Sequence, residues 1–490
     1  MIELLSCLVA LAPQVDTVEA APTILTLEQA LQIALSENAS VKVADKEIER
    51  TGYARKGSYA SLFPTIDGSG MFQRTIKKQV MYMDFDMGSL GDLGGGDIPG
   101  GDITGGEGVP ETKAGGGSGD GGLTPGGGIE VGRWNTWSAG ITASMPLVNA
   151  QLWKSLEISD QDVELAVEKA RGSRLDMVTQ VKQAFFSCLL AKDAFNVYKS
   201  VYENALENLE LTQKKYNAQK ASELDLTRAK ATLANAVPNV YDAESSVILA
   251  LWQLKAVMGI NLDENIDVAG ALEDYAQHMF YDIHTHDGLD LENNSTMRQL
   301  AIQAEELANT VKLQQYASLP SLALAFSYSL NAMANDFNFS EYNWSPYSYV
   351  GISLSIPIFA GGKRYHNVRQ AKVQAEELDI QRTNTERQLK IAIRQYLNTM
   401  ETAMKSYGAA QSAVETARKA YDIAQKSYNV GRSTLTDLND AQLAYTQSRL
   451  SLSQAVFNFV NAKASLESTL GADFIGEDGN VKLNKTYYNE

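Results

Sequence analysis

Apolar or small residues recur at alternating spacings of four and three along much of the chain. In the second half this pattern occupies 389–428, breaks at Gly431 and resumes over 438–466. The first half repeats the pattern over 226–254. Such spacing forms the narrow seam of a coiled coil rather than the wider stripe of a globular helix. Each half is therefore predicted to hold a long antiparallel helical hairpin. The two hairpins span about 150–258 and about 363–470.

Four shorter segments alternate between apolar and small polar residues, with the period of two that a β-strand requires. They lie at about 62–75, 134–146, 320–331 and 348–357. Each is near the length of a tilted transmembrane strand, although a half-buried sheet in a soluble domain has the same period. Aromatic residues near one end of the strands resemble an interfacial belt and favour the membrane interpretation. These are Trp134, Trp137, Trp344, Tyr347 and Tyr349.

Four strands are too few to close a barrel around a channel. Open sheet edges are not tolerated in lipid, so several chains are expected to share one barrel. Beyond the N-terminus no apolar run approaches the length of about 18 residues that a membrane-spanning helix requires.

The two halves are predicted to be copies of one unit. Tyr216 and Tyr428 are 212 positions apart, as are Gly259 and Gly471. An offset held over this distance indicates an internal duplication. The predicted order is a signal peptide or its remnant at 1–22, a first repeat at 23–270, a connector at 271–294, a second repeat at 295–474 and a tail at 475–490.

Composition excludes several classes of protein. The 42 Lys and Arg residues against 59 Asp and Glu residues give a formal charge of −17, which argues against nucleic-acid binding. Cys7 and Cys188 form no pairing motif, and the four histidines include only a His284-x-His286 pair in the connector. No metal, cofactor or catalytic constellation is indicated, so we predict that the chain is not an enzyme.

A glycine-rich segment at 88–128 separates the first two predicted strands. It holds 19 of the 37 glycines. Its scattered aspartates lack the repeating spacing of calcium ligands. Such a segment cannot bury a core, and we interpret it as a flexible extracellular loop.

Two motifs carry a resemblance to a known family. The sequence YNVGRSTLTDLND at 428–440 is similar to the hairpin tip of the TolC family of outer-membrane efflux and secretion channels. The sequence IPIFAGG at 356–362 resembles the strand-to-helix junction of that family. The resemblance covers almost the whole chain. It implies a mainly helical homotrimer, in which a 12-stranded outer-membrane β-barrel continues into an α-helical coiled-coil tunnel across the periplasm.

The resemblance also implies a periplasmic gate at the two hairpin tips, near 217–223 and 429–434. Asp437 and Asp440 match the aspartates that line the narrow mouth, and Asp225 and Tyr428 match residues that link one tip to the other. The tip arginine of the family falls on Ser433, with Arg432 one position earlier. The remaining predicted tip residues form a surface for docking an adaptor protein. They are Gly431, Ser433, Thr434, Gln219 and Ser222.

A purely structural role competes with the gate for two of these aspartates. Thr434 with Asp437, and Ser222 with Asp225, have the spacing of a capping box at a helix start. Asp440 lies beyond the cap, so capping does not account for it.

The function implied by the resemblance is a passive exit duct in the outer membrane. It would serve a tripartite efflux pump or a type I secretion system, together with a periplasmic adaptor and an inner-membrane transporter. The alternative is a trimeric surface adhesin or a structural coiled-coil protein, which can also build a barrel from four strands per chain.

Overall fold

The computed structural model describes residues 22–82, 128–280 and 291–472. The α-helices are α1 Leu27–Glu37, α2 Ala39–Ala60, α3 Ala150–Asn217, α4 Glu223–Met258, α5 Ser295–Tyr316, α6 Lys363–Asn429 and α7 Leu435–Leu470. The strands are β1 Thr23–Leu25, β2 Thr65–Arg74, β3 Gln79–Tyr82, β4 Gly128–Val131, β5 Asn135–Val148, β6 Ile266–Val268, β7 Ser321–Ala334 and β8 Ser345–Ser355. The predicted fold class, mainly helical with antiparallel strands, is confirmed.

The described residues form two compact units. A helical unit comprises the described parts of 1–58, 153–315 and 361–490, and a sheet unit comprises those of 59–152 and 316–360. In the helical unit, α3 is joined to α4 by 218–222, and α6 to α7 by 430–434. No helix in the described part of the chain is long and apolar enough to span a membrane.

The core of the helical unit forms where the apolar seams of the long helices meet. Phe185 of α3, Leu254 of α4, Ile393 of α6 and Phe459 of α7 are each at most 1% exposed and belong to one apolar cluster. Burying a side chain of this size contributes about 1.5–3 kcal/mol. Cys188 lies in the same cluster, and burial raises the pKa of its thiol to about 12. It is therefore a packed small residue rather than a reactive thiol.

Matching glycines end the second helix of each hairpin. Gly259 follows α4 with φ +77°, and Gly471 follows α7 with φ +68°. The left-handed backbone favours glycine, and close packing excludes a side chain as well. A Cβ on Gly471 would overlap the carbonyl oxygen of Asn293, and one on Gly259 would lie 2.8 Å from that of Glu37.

An asparagine fastens each of these helix ends to the start of another helix. Asn38 precedes α2 and donates from its side chain to the carbonyl of Val257 at 2.6 Å. Asn294 precedes α5 and donates in the same way to the carbonyl of Thr469 at 2.6 Å. We call these two arrangements the asparagine junctions. They repeat the internal duplication in three dimensions.

The sheet unit has four antiparallel strands in the order β2-β5-β7-β8. The central pair joins the two repeats, with Asn135 of β5 opposite Ala334 of β7. β2 and β8 lie at the two edges and come from different repeats. Both strands carry exposed apolar side chains, and Ile66 and Val350 are each 71% exposed.

Several features extend beyond the sequence prediction. Helices α1, α2 and α5 and the parallel pair β1-β6 were not predicted. Pro238 lies inside helix α4, which continues through it. The connector contains a 3-10 helix at Leu272–Phe280. Residues 1–21, 83–127, 281–290 and 473–490 lie outside the described residues, so the leader, nearly all of the glycine-rich loop, the connector histidines and the tail stay predictions.

Candidate gate at the hairpin tips

The first tip turns between α3 and α4 with an unusual backbone. Gln219 has φ +59°, at the position where the second tip has a glycine. Ser222 begins α4 as its N-cap, and its hydroxyl accepts from the amide of Asp225 at 3.1 Å. The Asp225 carboxylate accepts in return from the Ser222 amide at 3.2 Å and from its hydroxyl at 2.7 Å. The capping role predicted for Asp225 is therefore confirmed.

The second tip repeats this geometry. Gly431 has φ +78°, and Thr434 caps α7 by accepting from the amide of Asp437 at 3.2 Å. The Asp437 carboxylate accepts from the Thr434 hydroxyl at 2.7 Å and from its amide at 2.9 Å. The Thr434 hydroxyl is the main cause that holds the pKa of Asp437 below its ordinary value of 3.8. The capping role of Asp437 is confirmed, and its carboxylate is charged at neutral pH.

Asp440 lies one helical turn beyond Asp437 on α7. Both side chains are exposed, and a spacing of three places them on the same helix face. Leu438, between them in sequence, points into the core and has no exposed surface. The second tip thus presents two neighbouring carboxylates to its surroundings.

Tyr428 links the second tip to α3. Its hydroxyl lies 2.6 Å from the hydroxyl of Thr212, and its carbonyl accepts from the Lys215 ammonium at 2.6 Å. The same ammonium lies 4.1 Å from the centre of the Tyr428 ring. Tyr428 is thus held against the first hairpin by three contacts, and it is 6% exposed. We call Tyr428, Thr212 and Lys215 the tip lock.

The partners in the tip lock were missed by the sequence analysis. The resemblance implies that Asp225 and Tyr428 link one tip to the other. Within the chain, Asp225 hydrogen-bonds to Ser222 in the cap of α4, and Thr212 lies against the hydroxyl of Tyr428. Thr212 is a buried polar residue of α3, and Asn208 one turn earlier is buried as well, so a polar residue on this face does not by itself indicate the lock. Burial of Lys215 lowers the pKa of its ammonium.

The remaining predicted tip residues lie at the surface. Arg432 is exposed and uses its amide to close the turn, donating to the carbonyl of Ser427 at 2.8 Å. No ion pair of Arg432 occurs within the described part of the chain. Ser433 donates to the Asp437 carboxylate at 3.4 Å, so it supports the cap rather than replacing the tip arginine of the family.

An aromatic layer supports the second tip from below. The rings of Tyr421 and Tyr445 stack with centroids 6.0 Å apart and an interplanar angle of 14°. Asn439 adds a hydrogen bond from α7 to Thr232 of α4 at 3.2 Å. Within the residues that the structure covers, no group of three or more His, Cys, Asp or Glu side chains is arranged to hold a metal ion.

The fold matches solved outer-membrane channels. The CmeC outer membrane channel of Campylobacter jejuni superimposes with a TM-score of 0.65 over 91% of this chain and 85% of that one, at 18% identity. A model of the outer membrane efflux protein family matches residues 30–260 and 289–472. The chain therefore belongs to the outer membrane efflux protein family.

Named relatives agree with this assignment. The outer membrane protein TolC of Escherichia coli strain K12 is 21% identical over 348 residues, which cover 69% of this chain and 70% of that protein. The alkaline protease secretion protein AprF of Pseudomonas aeruginosa is 21% identical over 340 residues, with coverage of 69% and 70%. The chain is thus an outer-membrane efflux or secretion channel and not an enzyme. The channel hypothesis is confirmed over the adhesin alternative.

Proposed function

We propose that three copies of this chain form one exit duct that conducts substrates passively from the periplasm to the outside of the cell. Each copy would supply four strands to a shared barrel in the outer membrane, and two hairpins to a helical tunnel through the periplasm. The unpaired edges of β2 and β8 support this assembly, because lipid does not tolerate open sheet edges. Pairing β2 of one copy with β8 of the next would remove both edges.

The observation that carries the gate proposal is the pair of exposed carboxylates on α7. In a trimer Asp437 and Asp440 of each copy would form a ring of six charges around the periplasmic mouth. Such a ring repels anions and attracts cations, and divalent cations most strongly. The tip lock would keep the mouth narrow by holding the second hairpin against the first.

The proposed partners are a periplasmic adaptor and an inner-membrane transporter that supplies the energy. The adaptor would dock on the turn residues of the tips, which lie beside the tip lock. These are Gln219, Ser222, Gly431, Ser433 and Thr434, all of them exposed except the half-buried Ser433. A partner bound there could shift Tyr428 away from α3 and widen the mouth. The transporter would select the cargo, since the duct itself has no catalytic or ligand-binding centre in this proposal.

Single-channel conductance in a planar bilayer tests this proposal. The purified oligomer should give small, cation-selective currents that millimolar divalent cation blocks. In the Asp437→Asn/Asp440→Asn double variant we expect the block to weaken by about tenfold or more, because the charged ligands are gone. The matched control is Glu376→Gln/Asp379→Asn, a second exposed pair three residues apart on α6, which should leave the block unchanged.

Two outcomes would contradict parts of the proposal. Equal block in the tip variant and the wild type would reduce the two aspartates to surface and capping residues and leave the duct intact. An inserted oligomer that never conducts, either as wild type or with the tip lock broken, would contradict the duct itself.

A further inference from the structure

The cations of the sheet unit all lie at one end of the sheet. Its described residues contain four Lys and Arg side chains, which are Arg74, Lys77, Lys78 and Arg133. We call these four residues the basic end. Arg74 is the last residue of β2 and pairs with Asn135, the first residue of β5. Lys77 and Lys78 follow the end of β2, and Arg133 precedes the start of β5, so all four cations lie at the same end of these two strands. The rest of the sheet carries no cation among the residues that the structure describes.

Lys78 is the most informative member of the basic end. It is only 7% exposed, and its ammonium lies 4.9 Å from the centre of the Trp134 ring. None of the four cations forms an ion pair with a carboxylate among the described side chains. A cation that is shielded from water and held against an aromatic face keeps its charge, and an anion can neutralise that charge. The basic end is therefore chemically suited to an anion.

A second cation is held in the same way. The guanidinium of Arg74 lies 5.5 Å from the centre of the Phe337 ring, which belongs to the link between β7 and β8. This link is itself fixed, because Asn135 donates to the carbonyl of Asp336 at 2.8 Å and the Tyr342 hydroxyl donates to the same oxygen at 2.6 Å. The Asp336 carboxylate accepts from the amide of Asn338 at 3.4 Å.

The aromatic rings beside these cations form a packed platform. Trp137 lies 4.2 Å from Phe72 and 4.7 Å from Phe339, measured between ring centroids. Phe339 in turn lies 5.0 Å from Tyr342. Aromatic rings next to cations are typical of the zone where the acyl chains of a membrane meet its headgroups.

We propose that the basic end binds the phosphorylated headgroup of an anionic glycolipid in the outer leaflet of the outer membrane. Lys78 and Arg74 would contact a phosphate directly, since guanidinium and ammonium groups form their strongest hydrogen bonds with such anions. Lys77 and Arg133 are exposed and would add charge at the rim. The aromatic platform would lie against the first carbons of the acyl chains.

The choice of leaflet rests on the orientation in the proposed function. Residues 75–134 and 335–344 connect strand to strand at this end, whereas the other strand ends lead along the chain into helices. In the proposed orientation the strand ends that continue into helices face the periplasm, so the basic end, at the opposite ends of the strands, faces the outer leaflet. A separate experiment tests that orientation. If the basic end faces the outside, an impermeant thiol reagent should label the Arg133→Cys variant on intact cells, with the unmodified protein as the blank.

Binding of bisphosphorylated lipid A to the oligomer in detergent micelles, followed by native mass spectrometry, tests the proposal. We expect the Arg74→Gln/Lys78→Gln variant to bind at least about tenfold more weakly, because two charge-assisted contacts are lost. Arg369→Gln/Lys372→Gln on α6, an exposed pair outside the sheet unit, should bind like the wild type. Should removal of Lys78 impair folding, Lys77→Gln/Arg133→Gln changes only exposed side chains and should still weaken binding.

Two competitors distinguish a glycolipid site from a general site for lipids or anions. Phosphatidylethanolamine should not compete for the basic end, and inorganic phosphate at millimolar concentration should not displace lipid A. Equal lipid A binding by all variants, or full displacement by phosphate, would overturn the lipid assignment. The conductance of the Arg74→Gln/Lys78→Gln variant should equal that of the wild type, so failure here leaves the duct proposal unaffected.

Discussion

At the scale of single residues, the sequence predicted the position of Tyr428 at the hairpin tip but not its contacts. Its position was predicted correctly as a tip residue, because a tyrosine at the end of a seam is visible in sequence. Its partners depend on which α3 residue lies opposite, and the four-three spacing does not fix that register. Thr212 and Lys215 could be identified only in three dimensions.

The tip lock makes a prediction about two neighbouring tyrosines. Tyr428→Phe removes a buried hydrogen bond and leaves the Thr212 hydroxyl without that partner, so we expect a loss of about 1 kcal/mol in unfolding free energy. Tyr421→Phe is the control, because the buried Tyr421 hydroxyl has no hydrogen-bond partner in the described structure. It should be neutral or slightly stabilising. Denaturant unfolding measures both variants, and an equal loss in the two would contradict the tip lock.

The cap of α7 predicts a pH effect. The lowered pKa of Asp437 means that its cap bonds stabilise the tip above the ordinary pKa of 3.8 and are lost as pH falls through the lower folded value. Thr434→Ala removes the largest cause of the lowering, so Asp437 should protonate at a higher pH in this variant. Divalent block should then be lost at a higher pH than in the wild type. The measurement is a titration of block from about pH 6 to pH 3.

Thr436→Ala is the matched control for this titration. Thr436 is an exposed threonine in the first turn of α7 and takes no part in the cap. Its profile should coincide with that of the wild type. If Thr434→Ala also leaves the profile unchanged, Asp437 does not contribute to the block.

At the scale of elements, the long helices were predictable because their signals are local. The seams, the cap residues and the terminal glycines lie within each helix or directly beside it. Helices α1, α2 and α5 have no comparable seam, and they were missed. The asparagine junctions were missed for the same reason, since Asn38 and Val257 are 219 positions apart.

A glycine at one asparagine junction provides the element-scale prediction. Gly471→Ala combines a left-handed backbone with a Cβ that overlaps the Asn293 carbonyl oxygen, so unfolding free energy should fall by at least about 1–3 kcal/mol. Gly408→Ala is the control, because Gly408 lies within α6 with open space around its Cα. That substitution should stabilise the helix by about 0.5–1 kcal/mol. Thermal unfolding compares the two, and a tolerated Gly471→Ala would contradict the close approach.

At the scale of the whole molecule, the duplication explains why the fold class was predictable. Each half contains a helix, then two strands of the four-stranded sheet and then a long hairpin, so the signals of the strands and hairpins occur twice. The pairing of β5 with β7 across the two halves was not predictable, because the alternating segments identify strands and not their neighbours. The basic end was missed as well, since Arg133 is far in sequence from Arg74 and Lys78, and only the pairing of Arg74 with Asn135 brings its segment alongside theirs.

The two free edges of the sheet have a genetic consequence. In the proposed trimer, β2 of each copy completes the sheet of one neighbour and β8 completes that of the other. A copy that folds its hairpins but carries an interrupted edge strand would still enter the trimer. The barrel would then not close, although the other two copies are intact. Such an allele should therefore be dominant over the wild type in a cell that expresses both.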